Sequence, residues 1–138
     1  MVPRCALVFL LIFAFAAAGM AQKCKGMEIT HENPIQYPHS ARAARIQGEV
    51  TLQIHIATDG TVKADIVSGP SVLAESAKRF VESWTVAWLT DVPPTACAPV
   101  LHVTYKLKSD FKTKEKLPTR ILVEAPPIET NEPASAPR

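Results

Sequence analysis

The chemistry-bearing side chains of this 138-residue chain are few: four histidines (His31, His39, His55, His102) and three cysteines (Cys5, Cys24, Cys97). His55 and His102 occupy outward positions of two alternating apolar runs, where strand pairing would make them cross-strand neighbours on a wet face. Two imidazoles alone make a poor metal site, and no carboxylate or thiolate is spaced to join them. No Gly-rich phosphate loop, Gly-x-Ser-x-Gly elbow or Cys-x-x-Cys occurs. The expectation is no catalytic residue, no metal and no cofactor. His55 and His102 then read as solvated strand residues, and the chain reads as no enzyme.

The cysteines bear on compartment. Residues 1–21 read as a secretory signal: Arg4 supplies the positive end, 6–18 is an unbroken apolar run, and Gly19-Met20-Ala21 is a small-x-small cleavage site. Cleavage after Ala21 places the mature chain in the periplasm or outside the cell. The alternative is an uncleaved inner-membrane anchor, for which the run is at the short limit. Ala21-Gln22-Lys23 ahead of Cys24 lacks the residues of a lipoprotein box. In an exported chain, Cys24 and Cys97 are expected to pair, the alternative being two independent thiols. A disulfide between them would contribute about 4 kcal/mol in the chain-entropy model. The net charge of +2 shows no basic field for nucleic acid or a membrane surface.

The elements that position these groups follow from periodicity. Residues 22–33 form an irregular lead-in with a short extended piece at Met27-Glu28-Ile29. Pro38 opens a short alanine-rich helix over 39–46, which Gly48 closes as a left-handed cap. Val50, Leu52, Ile54 and Ile56 alternate with polar residues, and Val62, Ala64 and Ile66 do the same after a Thr58-Asp59-Gly60-Thr61 turn. Asp59-Gly60 suits a type I′ hairpin. A helix over 72–87, capped by Ser71, carries Leu73, Ala77, Phe80, Val81 and Trp84 on one face. Trp84 and the inward Tyr105 read as core, and Trp88 as the end of the sheet. A third strand over 100–108 alternates Leu101, Val103, Tyr105 and Leu107 with His102, Thr104 and Lys106. The proline-rich tail 109–138 reads as disordered, apart from the β-prone run Arg120-Ile121-Leu122-Val123.

These elements predict an α+β domain over 34–108. Its three-stranded antiparallel sheet has the order second–first–third, with the long helix on one face. Strand 100–108 is then an exposed edge with unpaired main-chain groups, able to accept another strand.

Tyr37-Pro38-x-x-Ala41, Gly48-x-Val50, Asp59-Gly60-x-Val62, Ser68-Gly69, Leu73, Ala77, Trp84 and Val103-x-Tyr105-x-Leu107 come in an order that resembles the C-terminal domain of TonB-type energy transducers. The resemblance implies a periplasmic domain. It would bind the TonB box, a short segment of an outer-membrane TonB-dependent receptor, as a strand beside the last strand. It points to the edge formed by Val100, Leu101, His102, Val103, Thr104, Tyr105 and Lys106. It implies Gln36 and Tyr37, at the Tyr-Pro turn, as contact residues. It also implies an inner-membrane proton-channel complex as partner if the N-terminal segment stays as an anchor. A self-associating alternative puts a second copy, or residues 120–123 of the tail, on the same edge.

Overall fold

The computed structural model describes residues 24–129; the expected signal segment and the end of the tail lie outside the described residues. Within them the order is β1 (Met27–Thr30), α1 (His39–Ala43), β2 (Gly48–Ile56), β3 (Val62–Ser68), α2 (Ser71–Glu82), β4 (Thr85–Trp88), β5 (Val100–Leu107), β6 (Lys112–Lys116) and β7 (Arg120–Ala125).

The predicted alternation organises the centre. Val50, Leu52, Ile54 and Ile56 of β2 are buried, as are Leu101, Val103 and Tyr105 of β5. α2 lays Leu73, Ala74, Ala77, Phe80 and Val81 onto this face. Fully burying each such side chain is worth about 1.5–3 kcal/mol. The order β3–β2–β5 is the expected second–first–third arrangement, antiparallel throughout.

The sheet does not stop at β5. It has five strands in the order β3–β2–β5–β7–β6, and β7 runs parallel to β5. The expectation of a disordered tail fails here, and with it that of a wholly antiparallel three-stranded sheet. The β-prone run 120–123, excepted from that expectation, is the body of β7, and it brings Ala125 and the Lys-rich β6 into the sheet with it. Ile121, Val123 and Ala125 are buried, which repays the cost of ordering that run. β6 pairs antiparallel with β7 and so lets the chain return alongside β5 in the parallel sense.

Three local expectations also change. The β2–β3 turn is not type I′, because Gly60 has φ 88° while Asp59 is not left-handed. Gly60 N donates to Ala57 O at 2.9 Å and Ala57 N to Thr61 O at 2.9 Å. This is a three-residue loop, a type I turn followed by a left-handed glycine. Asp59 Oδ1 accepts from Thr61 N at 2.9 Å, and that bond holds its carboxyl below the ordinary value.

Helix α1 ends three residues early. Ile46 N donates to Ala41 O at 2.8 Å and Arg45 N to Arg42 O at 3.3 Å, with Arg45 at φ 56°. That is a Schellman closure with arginine, rather than Gly48, in the left-handed position.

Helix α2 starts from Pro70 as N-cap, not Ser71, and ends at Glu82. The β-branched Thr85 and Val86 leave the helix and pair as β4 with β1, in the register Ile29↔Val86. The extended piece at Met27 is therefore a strand. The disulfide joins Cys24 to Cys97 with Cα atoms 5.4 Å apart. It ties this two-stranded sheet to the main one, since Cys97 bridges Ile56.

Candidate functional site

The predicted site comprises the edge of β5 and the Gln36–Tyr37 turn, and the structure brings both to one place. Leu101, Val103 and Tyr105 point into the core, Val100, His102 and Thr104 are half-buried on the outer face, and Lys106 is exposed. Tyr37 is buried and Gln36 exposed. The Tyr37 ring meets the Tyr105 ring edge to face, centroids 5.2 Å apart, and its hydroxyl donates to Ile46 O. Position 37 is thus held by both the closure of α1 and the third residue of the β5 inner row.

Burial raises the Tyr37 phenol above its ordinary value. It raises Tyr105 further. The Tyr105 hydroxyl is buried with no hydrogen-bond partner. Ser76 Oγ donates to the Gln36 carbonyl at 3.4 Å, linking the turn to α2.

The edge is not free, however. β7 occupies it over six registered residues, from His102↔Arg120 to Leu107↔Ala125. His102 N donates to Thr119 O and Lys108 N to Ala125 O, each at 2.9 Å. Val123 stands level with Tyr105, and Ile121 with Val103. A concavity of about 340 Å³ lies between β7 and the turn, with Gln36, Tyr37, Arg42, Phe111, Val123 and Ala125 in its lining.

Arg42 and Phe111 were not singled out by sequence reasoning. Arg42 Nε donates to Pro126 O at 2.8 Å, and the guanidinium lies 4.8 Å from the Phe111 ring centroid. The signal that could have found this arrangement is the alternation Ile121, Val123, Ala125, which repeats the inner row of β5.

His55 and His102 are not cross-strand neighbours. The register pairs His102 with Thr51 and Gln53 with Val100, so His55 lies beyond the β5 ladder. The pairing of Leu52 with Leu101 sets this offset. His102 Nδ1 is 3.1 Å from Glu49 Oε1 and His55 Nε2 is 3.1 Å from Asp65 Oδ2. Among the described residues, no three His, Cys, Asp or Glu side chains gather as a metal site.

The outermost strands are now β3 and β6. On β3, Glu82 Oε2 accepts from the outward Ala64 N at 3.3 Å, which covers part of that edge. On β6, every residue of Lys-Thr-Lys-Glu-Lys is exposed.

Comparison with known proteins bears on the fold of this domain. The chain is similar over 63% of its length to the Pseudomonas aeruginosa TonB C-terminal domain solved in solution by NMR. That match covers 92% of the solved chain at 19% identity, with a TM-score of 0.52. At that identity the likeness shows the fold. A search of curated proteins returns no match. The model of the Gram-negative bacterial TonB protein C-terminal family matches residues 33–107, more than half of the chain. The chain therefore belongs to the TonB C-terminal family.

Proposed function

We propose that this domain is a periplasmic interaction module, without catalytic activity. It takes up an extended, TonB-box-like segment of an outer-membrane transporter as a strand on β5, in exchange for its own β7. The observation that carries this reading is the strand already seated there. A six-residue run pairs with the β5 edge beside Gln36 and Tyr37. Its apolar side chains enter the core at every second position. Main-chain bonds supply the attachment and the alternate pockets supply selectivity. The family to which the chain belongs supports the same partner and compartment.

Because β7 belongs to the same chain, it competes at an effective concentration of order millimolar. The incoming strand meets a closed site. The test is an amide NMR titration of the full chain, and of a chain ending at Ser109, with TonB-box peptides. Shifts should appear at Val100, His102, Thr104 and Lys106, at lower peptide concentration for the shortened chain. If these amides stay unmoved in both proteins, the proposal is wrong. Shifts of equal affinity in both would keep peptide binding but remove β7 as its competitor.

A further inference from the structure

The outer face of the sheet, turned away from α2, is unevenly charged. On β5, β7 and β6 its outward positions carry Lys106, Arg120, Lys112, Lys114 and Lys116, against a single carboxylate, Glu124. The β2–β3 half is mixed, and its Glu49 and Asp65 already face His102 and His55. A chain-wide charge of +2 averages this segregation away, so the sequence-level expectation of no basic field does not hold for this face.

The register sharpens the imbalance. Lys116 stands directly opposite Arg120. Like charges opposed across strands cost stability. A shallow concavity of about 590 Å³ opens at this row, lined by Val100, His102, Lys116, Thr119 and Arg120, with no carboxylate among them. Along the face, Lys114 stands level with the half-buried Leu122, while Lys112 and Lys106 both stand level with Glu124.

We propose that this face binds an anionic phospholipid surface, with one phosphate headgroup at the Lys116–Arg120 row and its neighbours at Lys114 and Lys112. Charge complementarity selects an anion, and cations spread over three strands select an array of them rather than one. The strands set the cations about 4.8 Å apart across the sheet and about 6.8 Å apart along it. Long lysine stems reach out from the sheet. Leu122 and Val100 are the only apolar side chains at these outward positions, which leaves a peptide little to anchor in. Basic groups gathered at an anionic lipid surface add to one another, and salt screens them.

The test is co-sedimentation of the full chain with phosphatidylcholine vesicles, with and without phosphatidylglycerol. It is run beside the variant Lys114→Glu, Lys116→Glu, Arg120→Glu, with amide spectra to check folding. The N-terminal apolar run is common to both proteins, so its contribution cancels. The expected result is binding that needs phosphatidylglycerol, falls with salt and drops at least about tenfold in the variant. Lys114 and Lys116 should be protected from amine acylation on the vesicles, and Lys78 on α2 should not. Should the triple variant not fold, Lys114→Glu alone is expected to lose about fivefold. Equal binding to neutral vesicles, undiminished binding by a folded variant, or binding to soluble polyphosphate with none to the vesicles would each overturn the proposal.

Discussion

Arg42 Nε on α1 holds the carbonyl of Pro126 at 2.8 Å, just beyond the end of β7. Two segments more than eighty residues apart are thus fastened where the parallel ladder ends. Ile128 N donates to Arg42 O at 3.4 Å, and Phe111 lies under the guanidinium. One side chain therefore clasps both ends of the β6–β7 hairpin.

Replacing Arg42 with alanine should loosen β7 without disturbing β2 and β3. A hydrogen bond from a charged group is worth about 1.5–3 kcal/mol. Amide exchange at Lys108 and at 120–125 should accelerate by the corresponding factor, while exchange at Leu52 and Ile54 stays slow. Uniform acceleration across all strands would show that the hairpin does not open separately.

Ile121→Asp should undock β7 more completely. Ile121 is fully buried in the core, and an unpaired carboxylate there is costly. NMR should show loss of the β5–β7 ladder, and TonB-box peptides should bind at least about tenfold tighter, in keeping with removal of a tethered competitor. Intact pairing with unchanged peptide affinity would count against strand exchange.

These two tests concern the part of the molecule least legible in the sequence. β2 and β5 were legible because each alternates cleanly around a buried row; on β3 the buried row stops at Ala64 and the expected Ile66 is exposed. Their order followed from the up and down sense that the hairpin and the helix impose on the strands. In the tail the β-prone run of β7 was legible, but β6 was not, because Lys112-Thr113-Lys114-Glu115-Lys116 is exposed throughout and shows no apolar row. Gln36 and Tyr37 lie beside the β5 edge through the contact of Tyr37 with Tyr105. Occupancy of that edge by residues 120–123 was expected only as an alternative, since which strand fills an edge depends on register and on Arg42, neither of which leaves a periodic trace. The His55–His102 pairing failed for the same reason: Leu52 opposite Leu101 sets an offset that alternation alone leaves open.

The two tyrosines should respond oppositely to loss of their hydroxyls. Tyr37→Phe removes the bond to Ile46 O and should cost about 1 kcal/mol. Tyr105→Phe removes a buried hydroxyl that lacks a partner and should be neutral or stabilising. Denaturant midpoints at equal slope would distinguish the two. Burial raises the Tyr105 phenol, so the folded state keeps its proton longer than the unfolded chain. That contribution is whole below about pH 10, the unfolded value. It is lost as pH rises through the higher folded value. Tyr105→Phe should therefore flatten the alkaline fall in stability.

Reduction of Cys24–Cys97, or replacement of both by serine, should lower stability by about 4 kcal/mol for a loop of this length. The pair is separated by 73 residues. The two-stranded sheet should open first, because Leu89 N to Gly26 O is among the few further bonds that tie its ends. Exchange at Ile29 and Val86 measured with and without reductant would show whether it does.

The parallel pairing of β7 with β5 separates two quantities that most binding domains encode together. The receiving edge is written in 100–107, and the strand that keeps it closed in 120–125. If β5 is the docking edge, substitutions in the short tail run can raise or lower the threshold for capture without altering which ligand is preferred. Sensitivity and selectivity would then be free to evolve independently within one small chain.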